Sequence, residues 1–285
     1  MENADTRPPG SDGTVVSADG TLIHYLTVGQ GPPVLVVPGV LATAVDYAAF
    51  ADALGETHTA HTIERRGRGG SGPQGEAYGL ARECEDIAAL RHATGAALIF
   101  GHSYGGLIAL EAAAASDDFR GVAVYEPGVS VGGSIALEWM SPCREMLARG
   151  KPLDAFAIFS VGAGSRRARA TPVWLMKRLL PLFVSASDRE RMFPLLPAAL
   201  REHRVVGDLD NAYPNYQRIR AGVLAMHGGK SDLDWLAAAM RALATVIPLL
   251  TVEAFPTLDH FGPDKSGPAE VAAATSAFFA ALPLP

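Results

Sequence analysis

The chain has 285 residues, 48% of them hydrophobic and 19% charged, a balance that suits one large compact domain or two small ones and excludes a disordered or fibrous chain. Its net charge of -6 argues against general nucleic-acid binding, and no apolar run approaches the roughly 18 residues that a membrane span requires. The two cysteines, Cys84 and Cys143, lack metal-ligand spacing and read as free thiols of a reducing cytoplasm.

Residues 1–13 are acidic and rich in proline and glycine, without the basic and then apolar pattern of a secretory leader. They read as a flexible tail, and the location expected is cytoplasmic. Residues 14–31 read as two strands around the turn Ala18-Asp19-Gly20, where β-branched residues flank an Asp-Gly pair. PPVLVVPGVL holds a short apolar run ending at Pro38-Gly39, the pattern of a buried parallel strand entering a loop. A helix is expected near residues 47–54 and a strand over 58–63, followed by ERRGRGGSG, whose glycines stop regular structure.

Leu80, Cys84, Ile87, Ala88 and His92 recur at helical spacing and predict a helix over residues 78–94. A strand over 96–100 leads into a turn at Ser103 and a helix over 104–115, and GVAVYEPGV supplies the next strand. The alternation then breaks: residues 132–218 show no clear strand but several apolar and basic helical patterns, so this segment reads as an insertion. Alternation resumes with AGVLAMHGG, a helix over 234–244, the strand IPLLTVEAF and a last helix over 268–282. Strands alternating with helices imply a mainly parallel sheet covered on both faces.

Gly101-His102-Ser103-Tyr104-Gly105 fits the nucleophile-elbow pattern G-x-S-x-G. Side chains flanking such a tight strand-to-helix turn would strike neighbouring backbone, and the apolar strand before it and the alanine-rich helix after it are the context the motif requires. A serine hydroxyl needs a base, and the base an orienting acid. Of the eight histidines His260 is best placed, in FPTLDHFGP beyond the last strand. His24, His58, His61 and His92 fall in or at the start of expected strands and helices and His203 lies in the segment 132–218, so these read as structural, while His102 and His227 adjoin glycine turns and read as supporting groups. The order serine, acid, histidine favours Asp232, in HGGKSDLDW, as the acid. Ser231 takes that register if the turn is one residue shorter, Asp234 suits a helix start, and Glu126 in VAVYEPG is the second candidate acid. The amides of Tyr104 and Val40 are the expected oxyanion donors.

With VVPGV, RRGRGGSG, GHSYGG, GGKSD and DHFGP in this order, the chain resembles the alpha/beta-hydrolase superfamily over about residues 14–282. The resemblance implies an α/β fold with a mostly parallel eight-stranded sheet, helices on both faces and a helical cap inserted after the sixth strand. Residues 14–130 and 219–285 would form the core and 131–218 the cap. It further implies Ser103 as nucleophile, Asp232 as acid, His260 as base, the Val40 and Tyr104 amides as oxyanion hole, and no metal or organic cofactor. Pro38 replaces the histidine usual before the oxyanion glycine, and Glu64 stands where aspartate is common. The serine at the elbow argues against branches that use an aspartate nucleophile.

The expected activity is that of a serine hydrolase cleaving a small-molecule carboxylic ester or thioester, or a lactone, with an apolar acyl part through an acyl-enzyme. The same scaffold also serves cofactor-independent lyases, cyclases and acyl transferases, and non-catalytic ligand-binding modules. Residues 131–218 carry 13 Lys and Arg against 8 Asp and Glu, while the remainder carries 11 against 22. Arg166, Arg167, Arg169, Lys177 and Arg178 could therefore attract an acidic substrate or carrier protein, although a solvated helix surface is the more ordinary reading. Trp139, Met140, Met146, Phe156, Phe159, Trp174, Met176, Leu179, Phe183, Met192 and Phe193 supply apolar surface for a pocket or for packing of the helices.

Overall fold

The computed structural model describes residues 11–283 and contains one eight-stranded sheet among them. Its strands are β1 (Ser11–Val16), β2 (Leu22–Gly29), β3 (Pro33–Val37), β4 (Thr59–Ile63), β5 (Leu98–His102), β6 (Gly121–Tyr125), β7 (Gly222–Gly228) and β8 (Leu250–Phe255). Across the sheet they lie in the order β1-β2-β4-β3-β5-β6-β7-β8. The pairs β1–β2 and β2–β4 are antiparallel and all others parallel.

The central strands alternate between two buried faces, which is why their sequences read as continuous apolar runs. Leu35, Val37, Ile99, Val122 and Val124 enter one apolar cluster, and Val34, Val36, Leu98, Phe100 and Ala123 enter the other. The helices are α1 (Ala48–Leu54), α2 (Leu80–Thr94), α3 (Tyr104–Ala115), α4 (Met140–Ala148), α5 (Pro152–Gly162), α6 (Arg166–Arg169), α7 (Val173–Phe183), α8 (Ala186–Met192), α9 (Leu196–Asp208), α10 (Leu236–Val246) and α11 (Pro268–Ala281). Residues of α2, α3 and α10 cover the first face and those of α1 and α11 the second. Helices α4 to α9 all fall between β6 and β7, and all but α6 contribute to an apolar cluster that includes Phe156, Leu180 and Leu196. Leu41, in the loop after β3, joins that cluster. No helix among the described residues is long and apolar enough to cross a membrane.

Several boundaries differ from expectation. Residues 11–13, expected in the tail, belong to β1, because Ser11, Asp12 and Gly13 pair with Thr27, Leu26 and Tyr25; a side chain at Gly13 would collide with the Tyr25 ring. The rest of the expected tail, residues 1–10, lies outside the described residues. Strand β6 stops at Tyr125 rather than continuing to 129, because Glu126 takes φ +44° and leaves the ladder.

The loop ERRGRGGSG is more than a break. Arg65 and Arg66 are almost completely buried. Arg66 meets Asp86 at 2.6 Å and Asp19 at 2.7 Å. Arg65 meets Glu83 of α2 at 3.2 Å and Glu202 of α9 at 2.6 Å, and Arg68 meets the same Glu202 at 2.7 Å. Charges so deeply buried persist only when paired.

Candidate active site

The elbow forms where β5 meets α3. Ser103 sits there with φ +54° and ψ -118°, a backbone state that L-residues rarely adopt. The flanking glycines make it possible. A Cβ at Gly101 would lie 2.3 Å from the Gly105 carbonyl oxygen, and one at Gly105 would lie 2.1 Å from that of Val37. The non-glycine residues with positive φ among those described are Leu41, Ser103, Glu126 and Asn211. Three of these border the same site, where backbone strain is characteristically kept.

His260, beyond β8, directs its Nδ1–H to Glu126 Oε2 at 2.7 Å. Glu126 is fully buried, and its other oxygen accepts the Gly228 N–H at 2.8 Å and the Ser231 hydroxyl. These donors satisfy both oxygens of a side chain that solvent does not reach. With Nδ1 committed as donor, the neutral ring carries its lone pair on Nε2, the arrangement a general base requires. Ser103 and His260 line one cavity of ≈ 1110 Å³.

This geometry corrects the choice of Asp232. The Asp232 carboxylate accepts the Arg167 N–H at 3.2 Å and lies 3.5 Å from Arg166 Nε, while its carbonyl accepts the Arg166 N–H at 2.8 Å. It docks the start of α6 rather than His260. The register after β7 that chain order assigned to an acid is filled by Ser231, whose hydroxyl supports the carboxylate arriving from β6. Asp234 has also gone to the inserted helices, bonding Arg166 at 2.8 Å, and α10 accordingly begins at Leu236 instead of 234.

Of the two supporting histidines, His102 is drawn in and His227 is not. The Nε2–H of His102 donates to the His260 carbonyl at 2.8 Å, leaving Nδ1 to accept from the Tyr47 hydroxyl at 2.5 Å. Tyr47 in turn accepts the Gly39 N–H at 3.1 Å. Burial holds the His102 pKa well below the ordinary histidine value, with His260 adding to the effect, so the ring is neutral. The chain Gly39-Tyr47-His102-His260 ties the loop after β3 to the loop after β8. No sequence motif marked Tyr47; its place in the 3-10 turn Ala44–Tyr47 before α1 brings its hydroxyl there. His227 lies within β7 opposite Ala254 and does not line the cavity.

Val40 and Tyr104 both line the cavity. Tyr104 is the first residue of α3, so its amide is one of the helix's unsatisfied donors. Among the described residues neither amide donates to a protein acceptor. A further carboxyl, Asp264, lies in the π-helical turn Gly262–Ser266 and also lines the cavity. Its Oδ1 is buried without a hydrogen-bond partner. Burial pushes its pKa up to about 6 against the opposing charges of Lys265 and His260.

Phe156, Phe159, Met176, Phe183 and Met192 face the cavity, whereas Trp139 and Met140 pack inside the inserted helices and Trp174 is exposed. The basic patch is largely answered from within the chain: Arg166 and Arg169 meet Asp234, and Lys177 meets Asp154 at 2.8 Å. Among the described residues no three His, Cys, Asp or Glu side chains gather as a metal site would need.

A profile of the alpha/beta hydrolase family matches residues 34–274. The chain belongs to this family. The hydrolase is 30% identical over 183 residues to the N-formylmaleamate deformylase of Pseudomonas putida, a match covering 61% of this chain and 68% of that protein. A solved alpha/beta hydrolase from Sphaerobacter thermophilus superposes with TM-score 0.79 at 30% identity, covering 94% of this hydrolase and all of that chain. An esterase from a Rhodococcus species shares the fold at 20% identity, with TM-score 0.68 over 96% of this chain and 100% of that one.

Proposed function

We propose that this hydrolase cleaves a small-molecule carboxylic ester or thioester with an apolar acyl part through an acyl-enzyme on Ser103. The observation that carries the reading is the buried Glu126 carboxylate on His260 Nδ1, in a cavity that also holds the strained elbow serine. His260 Nε2 accepts the Ser103 proton as Oγ attacks the acyl carbon. The oxyanion that forms is met by the Val40 and Tyr104 amides, and Glu126 stabilises the imidazolium. Collapse expels the alcohol or thiol with the proton from His260. Water, deprotonated by the same nitrogen, then releases the acid. Residues 131–218 act as the cap, and their phenylalanines and methionines take the acyl chain. The same machinery would serve an N-acyl bond, the bond class that the name of the Pseudomonas putida relative indicates.

A panel of p-nitrophenyl esters, acyl thioesters, lactones and N-formyl amides, run in oxygen-18 water, tests this. Medium-chain acyl substrates are expected to exceed acetate in kcat/KM by about tenfold or more, each added methylene contributing about 0.8 kcal/mol of burial at most. One solvent oxygen should enter each acid released. Turnover without solvent oxygen in the product would instead identify a lyase, cyclase or transferase. Stoichiometric labelling of Ser103 by a fluorophosphonate is expected, and its absence in folded protein would favour a binding module.

A further inference from the structure

Beyond the groups that take part in bond making, Arg65 stands out. It is fully buried in the loop after β4 and touches the backbone of the loop after β3. Its Nη1 donates to the Pro38 carbonyl at 3.3 Å and to the Gly39 carbonyl at 3.1 Å. Its Nε and Nη2 are occupied by Glu83 at 3.4 and 3.2 Å, and Nη2 pairs with Glu202 at 2.6 Å. The guanidinium carbon lies 4.7 Å from the centroid of the Tyr104 ring.

The consequence follows from peptide geometry. In a planar trans peptide the C=O and the next N–H point in opposite directions. Fixing the Gly39 carbonyl on Arg65 therefore turns the Val40 N–H away from Arg65, and Val40 lines the cavity. The preceding peptide is held at both ends, its carbonyl by Arg65 and its N–H by Tyr47. The Val40 N–H alone among these groups is left without a protein acceptor among the described residues.

We infer that Arg65 is a positioning residue for the oxyanion hole: it aims the Val40 amide into the cavity and carries the ring of Tyr104, the residue that supplies the second donor. The inference rests on the serine-hydrolase reading of the site. Lysine cannot substitute for it, because one ammonium nitrogen cannot bridge two adjacent carbonyls and two carboxylates as the rigid fork does. The competing role, an ion pair that merely joins α2 to α9, is separable. Arg68 also binds Glu202, and neither Arg68 nor Glu202 touches the loop carbonyls.

The full chain carrying R65K, R65M/E202Q or E202Q is assayed on p-nitrophenyl hexanoate. Melting temperature, pH profile and fluorophosphonate labelling are recorded alongside, and an alkyl boronic acid serves as the tetrahedral probe. R65M/E202Q removes the Arg65 charge and one of its two carboxylate partners together, giving a second test of Arg65 if R65K fails to fold. For both Arg65 variants kcat should fall about ten- to a hundredfold, with KM within about threefold, because a mis-aimed donor is lost only where the oxyanion forms. Boronate affinity should fall in parallel with kcat, and the midpoint of the kcat pH profile should not move. E202Q should keep kcat within about threefold while melting earlier, since it leaves the carbonyl contacts in place. A folded Arg65 variant with kcat within threefold of the parent overturns the inference. So does an E202Q loss as large as that of R65K, which would assign the effect to helix docking. If the unsubstituted protein neither turns over nor labels at Ser103, the serine-hydrolase reading fails first and the role of Arg65 with it.

Discussion

Two acidic loops leave neighbouring strands of the sheet, one after β6 and one after β7, and they come to opposite ends. Glu126, one residue past β6, is fully buried, adopts φ +44° and binds His260, a backbone amide and a hydroxyl. Asp232, past β7, is partly exposed and spends its carboxylate on the start of α6. Both are acids between Ser103 and His260 in the chain. What separates them is where donors were available. The end of β7 offers an N–H and a hydroxyl pointing back toward β6, whereas the inserted helices offer arginines to whatever lies outside. A carboxylate reaches a histidine where the surrounding backbone can hold it charged without water, and chain order alone does not determine that.

The comparison can be broken from its common partner first. Ser103→Ala and His260→Ala are each expected to lower turnover by roughly three to six orders of magnitude, read from initial rates on the ester panel. Near-normal hydrolysis in either would dissolve the site to which both acids are being compared. Between the acids themselves, Glu126→Gln should cost about two to four orders of magnitude in kcat, because the imidazolium loses its counter-charge and the ring its fixed tautomer. Asp232→Asn should cost less than about tenfold, as expected for a partly exposed ion pair that docks a helix. Equal losses in the two variants would reverse the assignment.

Asp264 sharpens the contrast, since it shows a carboxyl lining the same cavity without the donors that serve Glu126. Its folded pKa of about 6 lies above the ordinary 3.8, so the folded protein binds this proton more tightly than the unfolded chain does. The stability it contributes is complete below about pH 4 and is lost as pH rises through about 6. Asp264→Asn stays neutral throughout. In urea titrations its stability relative to the parent should therefore improve by up to ~3 kcal/mol between pH 4 and 7. A difference that stays flat with pH would mean that Asp264 is better solvated than its position indicates.

The parts legible in the sequence were those set by local periodicity and steric need. The apolar runs of β3, β5, β6 and β7 show through because both faces of each strand are covered. The elbow shows through because Gly101 and Gly105 leave no room for another residue. Helix α3 was expected over 104–115 and occupies Tyr104–Ala115. The choices that failed depend on partners distant in the chain. Residues 11–13 look like tail until β2 pairs with them, and Asp232 looks free until α6 takes it. The Pro-Gly pair after Glu126 did signal a sharp turn, but nothing local showed that its carboxylate would turn inward. Tyr47 carried still less warning, and although Arg65 opens the RRGRGGSG stretch nothing local pointed to its bonds with the Pro38 and Gly39 carbonyls, 27 and 26 residues away.

Glu202 also has a consequence for how the molecule comes apart. The inserted helices own an apolar cluster and could in principle melt separately from the sheet. Yet α9 carries a carboxylate that both Arg65 and Arg68 use inside the sheet's side of the structure, all three side chains being fully shielded from solvent. Peeling the helices away would take from Arg68 its carboxylate and from Arg65 one of its two, so the cheaper course is for both parts to lose structure together. Differential scanning calorimetry should record one cooperative endotherm for the parent, and two separable ones only when E202Q has cut the tie.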